Sequence, residues 1–181
     1  EWIEKIKAKQ PEFRDEKLER YKKEFDIPQY DAEILTESKH MADIFEETTA
    51  ICGKPKKVSN WLMVETMRLL KEHGMEPEDI SFSPANLAKL IGLTEAGTIN
   101  SSVAKEVFEQ VFEKDVDPES YVEEHGLKTV NDEGALEEVL KEVIAKNPKA
   151  IADYKGGKEK ALGALVGQTM KAMKGKANPG M

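Results

Sequence analysis

Apolar side chains recur along this chain at intervals of three and four, with charged residues between them, and no stretch alternates as a half-buried strand would. The pattern predicts an all-α protein. A charged helix is expected from Pro11-Glu12-Phe13 to about Phe25, with Pro11 in its first turn. Pro28 breaks the chain, and Asp31 is placed to cap a short helix through Leu35. Thr36 or Ser38 caps a further helix that turns Met41, Ile44 and Phe45 inward and stops at Gly53-Lys54-Pro55. The strongest periodicity runs from Lys56 to about His73, where Val58, Trp61, Leu62, Glu65, Leu69 and Leu70 share a face and Gly74 supplies the stop. On that face Trp61 reads as a core residue.

Ser83-Pro84 opens the next helix, and Gly97-Thr98 precedes one with Val103, Val107, Val111 and Phe112 inward. Asp117-Pro118-Glu119 caps a short helix closed by Gly126. A helix beginning at Asn131 and Asp132 carries Leu136, Val139, Leu140, Val143 and Ile144 to the stop at Asn147-Pro148. A short turn around Ile151 and Tyr154, then Gly156-Gly157, lead into a last helix reaching about Lys174. The expected organisation is an irregular multi-helix array over 1–127, followed by a small three-helix tail domain over 128–181.

At about 100° per residue the last helix sorts its side chains into two faces. Leu162, Leu165, Val166, Thr169, Met170 and Met173 fall on one broad face, expected to pack against Val139, Leu140 and Val143. Lys160, Lys171 and Lys174 fall within about 60° of one another on the other face, on the stripe shared by Gly163, Ala164 and Gly167. Each mid-helix glycine costs roughly 0.5–1 kcal/mol relative to alanine. Small side chains flanked by lysines would admit a bulky anionic backbone close to the helix, with ammonium groups on its phosphates. The plainer alternative is that the glycines make room for a neighbouring helix and the lysines are merely solvated.

Charge sharpens this picture. The net charge is −8, which argues against a nucleic-acid binder for the chain as a whole. From Lys155 to Met181, however, six lysines face one acid, a net of +5, leaving −13 on the rest. No apolar run approaches the ~18–20 residues of a membrane span, and a lone Cys52 fits a reducing cytoplasm. The opening, without an initiator methionine, suggests a piece of a longer protein. His40, His73 and His125 lack second ligands at metal spacing, and Cys52 reads as an inert thiol. Glu46-Glu47 reads as solvated surface, and Gly156-Gly157-Lys158 lacks the spacing of a phosphate-binding loop. No catalytic or metal site emerges.

The stretch Gly157 to Pro179 (GKEKALGALVGQTMKAMKGKANP) closely resembles the signature of the GatB/YqeY family. So do Ser59-Asn60-Trp61-Leu62-Met63, Gly97-Thr98-Ile99-Asn100 with Ala104-Lys105-Glu106-Val107, and Asp132-Glu133-Gly134-Ala135-Leu136. The opening, with Pro11, Tyr21 and Tyr30-Asp31-Ala32, is similar to the region that follows the catalytic domain in GatB.

The resemblance implies a place in a tRNA-dependent amidotransferase, in which GatB works with GatA and GatC on misacylated tRNA(Gln) or tRNA(Asn). In that family ATP and magnesium belong to a catalytic cradle domain that this chain lacks, so no cofactor is expected within it and no catalysis by it alone. A helical domain and a small tail follow the cradle, and the tail docks on the tRNA elbow around the D-loop. By the match, Lys158, Lys160, Gly163, Gly167, Lys171, Lys174 and Lys176 become candidate tRNA-binding residues. Lys54, Lys56 and Lys57 are weaker candidates nearer the acceptor arm. A free-standing YqeY-like module, the equivalent region of the archaeal GatE protein, and a purely structural scaffold are the alternatives.

Overall fold

The computed structural model describes residues 12–129, 133–158, 160–173, 175 and 177, the side chains of 133–135 excepted. Among the described residues there is no strand, and the fold is all-α. No helix among them is long and apolar enough to cross a membrane. The chain divides into two compact units, one from residues up to 91 together with 109–115, the other from 92–108 together with 116 onward.

The first unit begins with α1 (Arg14–Glu24), α2 (Gln29–Leu35) and α3 (Lys39–Cys52). Of the two candidates, Thr36 and Ser38, it is Ser38 that caps α3, its hydroxyl accepting from the Met41 amide at 3.3 Å and donating to Glu78 at 2.7 Å. Asp31 does not cap α2. That helix starts three residues earlier, at Gln29 behind Pro28, whose fixed φ suits a helix start, so Asp31 lies inside the first turn. Gly53 and Gly74 end their helices in the left-handed region, at φ 65° and 63°, where a side chain would be strained. Tyr21, Phe25 and Phe45 form an aromatic cluster with centroids 4.7–5.8 Å apart.

From Pro55 to His73 the backbone stays helical through three segments: α4 (Pro55–Asn60), a π-helical turn (Trp61–Thr66) and α5 (Met67–His73). The Met67 amide bonds the Leu62 carbonyl five residues back, and the Thr66 hydroxyl donates to the Trp61 carbonyl at 3.1 Å. Leu62, Glu65, Leu69 and Leu70 are buried as expected, but Trp61 itself is only half-buried. A short 3-10 turn (Pro77–Asp79) leads to α6 (Pro84–Glu95).

Helix α7 (Ser101–Lys114) buries Val103, Val107, Val111 and Phe112 on one face, as its periodicity predicts. Asp117 caps α8 (Pro118–Glu124) by accepting from the Ser120 amide at 3.0 Å. The last three helices, α9 (Glu133–Lys146), α10 (Pro148–Lys155) and α11 (Lys160–Ala172), pack on one another. Leu136, Val143, Leu165 and Thr169 are buried among them. Three short helices cannot cover every apolar side chain they carry. Ile144, expected inward, is 43% exposed, and Leu162 and Val166 are 48% and 37% exposed.

Candidate nucleic-acid interface

On α11 the apolar stripe turns Leu165 and Thr169 inward, so the opposite stripe faces outward. There Lys160, Gly163, Ala164, Gly167 and Lys171 are all exposed. A Cβ built on Gly163 or Gly167 meets no heavy atom within 4 Å. Neither glycine makes room for another helix among the described residues, so of the plainer reading only the solvated lysines remain. The result is a flat, open strip of backbone with an exposed ammonium at each end, a surface on which a phosphodiester could lie close to the helix.

The remaining lysine candidates divide into three groups. Lys158 is exposed but paired with Asp153 at 3.0 Å, so its charge is partly compensated. Lys174 and Lys176 lie outside the described residues. Lys54, Lys56 and Lys57 sit at the start of α4, in the other unit, and are all exposed. Lys54 is the residue that precedes the first helical turn, and Lys56 pairs with Asp26, whose carboxyl it holds below its ordinary value. A lysine already paired loses that partner when it moves onto a phosphate, so Lys56 and Lys158 are the weaker anion ligands.

Beside the strip, α9 and α11 enclose an open groove of about 520 Å³ lined by Val139, Glu142, Val143, Lys146, Asn147, Gln168, Lys171 and Ala172. Asn147, which the sequence marks only as a helix stop, donates to the Val143 carbonyl at 2.8 Å and to Gln168 Oε1. No periodicity points to this pair, because the two residues stand 21 positions apart.

Two of the three histidines are held by backbone carbonyls. His40 bonds the Ile80 carbonyl at 2.8 Å, and His125 bonds the Tyr121 carbonyl at 2.9 Å. Cys52 is a half-buried free thiol. Among the described residues no group of three or more His, Cys, Asp and Glu side chains could hold a metal ion. Glu46 departs from the expectation of a solvated charge. It accepts from the Tyr21 hydroxyl at 2.7 Å and pairs with Arg20 at 2.9 Å and Lys17 at 3.0 Å. Arg68, on α5, holds Glu65, Glu72 and Glu109 at 3.3, 2.9 and 2.9 Å.

Residues 43–181 match the profile of a family described as the GatB domain. Among curated proteins, the GatB component of the aspartyl/glutamyl-tRNA(Asn/Gln) amidotransferase of Agathobacter rectalis is 71% identical over 179 residues, covering 99% of this chain and 38% of that protein. The GatB of Lachnospira eligens, which bears the same name, is 61% identical over 187 residues, covering 100% and 39%. That of Thermodesulfovibrio yellowstonii is 49% identical over 179 residues, covering 99% and 38%. The chain therefore spans well under half the length of the relatives it matches. With a family profile covering most of its residues and relatives at this identity, the chain belongs to the GatB/YqeY domain family.

Proposed function

We propose that this chain is the tRNA-gripping C-terminal region of the GatB component of an aspartyl/glutamyl-tRNA(Asn/Gln) amidotransferase, and that it holds the elbow of the tRNA, around the D-loop, on the Lys/Gly face of α11. The observation that carries the reading is the exposed strip of Gly163 and Gly167 between Lys160 and Lys171, on a helix that turns Leu165 and Thr169 into the core. Backbone and shape recognition of a folded RNA needs phosphate ligands and close approach, and no base code in a deep groove. A tail net charge of +5 on an otherwise acidic chain concentrates the attraction at the end that carries the strip.

In this role the chain performs no chemistry itself. It binds and orients the misacylated tRNA, while ATP, magnesium and the transfer of ammonia belong to the remainder of the longer protein and its GatA and GatC partners in the cytoplasm. The tail would begin near residue 128. Lys54, Lys56 and Lys57 act as secondary contacts towards the acceptor arm.

The test is a fluorescence titration of a tRNA(Gln) transcript against the full-length protein over a salt series, with a Lys160/Lys171/Lys174→Ala variant alongside. The expected result is weaker binding by the variant and loss of about two to three units of slope in log K against log salt. Identical affinity and slope in both proteins would overturn the reading.

A further inference from the structure

The groove between α9 and α11 has hydrogen-bonding chemistry that the strip does not use. An amide NH2 has two hydrogens, and Asn147 spends one on the Val143 carbonyl and the other on Gln168 Oε1. A backbone carbonyl can only accept, so this bond fixes which end of the Asn147 amide faces it. The orientation of the Gln168 amide then follows. What remains is Asn147 Oδ1, an acceptor, and Gln168 Nε2, a donor, on two residues that both line the groove, neither atom with a partner among the described residues. Val139, Val143 and Ala172 supply apolar wall, and the exposed ammonium of Lys171 belongs both to this groove and to the strip.

We propose that this groove seats one unpaired nucleotide of the bound RNA, its base edge on Asn147 and Gln168 and its phosphate on Lys171. The Watson–Crick edge of a nucleobase presents a donor next to an acceptor, which is the complement of this amide pair, and that edge is free only in a nucleotide outside a helix. The groove's volume of about 520 Å³ is ample for one base. Lys146 at the rim is held by Glu142 at 3.2 Å, which leaves Lys171 as the phosphate ligand. The strip then takes the RNA backbone, and the groove fixes where along that backbone the protein stops. This inference rests on the RNA-binding reading above.

The test uses the full-length protein and a folded tRNA transcript, with Gln168→Ala removing the donor, Ala172→Trp filling the groove from an exposed position, and Lys160→Ala reporting on the strip alone. Helicity and melting temperature are recorded for each. Gln168→Ala is expected to weaken binding about tenfold while leaving the salt slope unchanged, and Ala172→Trp, which also keeps the phosphate from Lys171, to weaken it and lower the slope by up to about one. Lys160→Ala is expected to lower the slope by about one. If Lys160→Ala weakens binding while Gln168→Ala binds like the wild type, the groove is empty in the complex and the strip reading stands without it. If Lys160→Ala also binds like the wild type, or the wild type binds no RNA, both readings fall. Gln168→Ala removes no buried contact, so it decides the outcome even if Ala172→Trp disturbs the fold.

Discussion

Glu46 stands between three partners that favour its ionised form, the Tyr21 hydroxyl, Lys17 and Arg20. Its partial burial pushes its pKa up. The hydrogen bond from Tyr21 and the charges of Lys17 and Arg20 outweigh that and hold it below the ordinary value of 4.5. Burial and the neighbouring carboxylate push the Tyr21 phenol well above its usual range, so it remains a donor at any working pH. The hydrogen bond to Arg20 likewise lowers the pKa of Glu12. A carboxylate whose pKa is depressed by folding stabilises the native state fully above its unfolded value and loses that contribution as pH falls through the folded one. The wild type should therefore lose more of its melting temperature between pH 7 and pH 3.5 than Glu46→Gln does. Equal losses would show that Glu46 is not coupled to folding. On α11 the open surroundings of Gly163 and Gly167 give a second expectation with opposite signs for two readouts. Alanine at either position should raise stability by roughly 0.5–1 kcal/mol in urea titrations, because no neighbour is displaced and helix propensity improves. The added methyls would at the same time hold a phosphodiester off the strip and weaken tRNA binding. Destabilisation by either alanine would mean that the glycine is needed for folding.

Helix ends are set by single side chains, and here the expected cost of losing one can be stated. Ser38→Ala removes both the bond that caps α3 and the bond to Glu78, and should destabilise the protein by about 1–2 kcal/mol in urea unfolding. A change under a few tenths would mean that water replaces both bonds. Such ends were legible in the sequence because each depends on a local residue type: Ser38 and Asp117 as caps, Gly53 and Gly74 at left-handed stops. Features that depend on distant partners were not. The π turn at Trp61–Thr66 is a change in hydrogen-bond register that apolar spacing does not encode, and it leaves Trp61 half out of the core that its position suggests. Ile144 and Leu162 have the right spacing to face inward, yet a three-helix unit leaves both exposed. The Lys/Gly face of α11 could be read from helical angles alone, but that Gly163 and Gly167 meet no neighbour among the described residues could not. The Asn147–Gln168 pair could not be read at all, since it joins the end of one helix to the middle of another.

The charge of the whole chain limits how RNA can bind it. A net of −13 outside the last 27 residues repels a polyanion, so phosphate contacts have to concentrate on the basic end. That end carries six lysines, and one of them, Lys158, is paired with Asp153. Each phosphate neutralised contributes a salt slope of about 0.7 to 0.9, so the five other lysines of the basic end contribute at most about 4.5. A tRNA titration of this chain between 50 and 200 mM salt should therefore give a slope of roughly two to five. Raising the negative charge elsewhere, for instance by Lys39→Glu, should weaken binding through long-range repulsion while leaving the slope in place. A slope near ten would require more phosphate contacts than the basic end can make, and would move the RNA surface onto the acidic remainder of the chain. The lysines at Lys54, Lys56 and Lys57 would then be the first residues to replace.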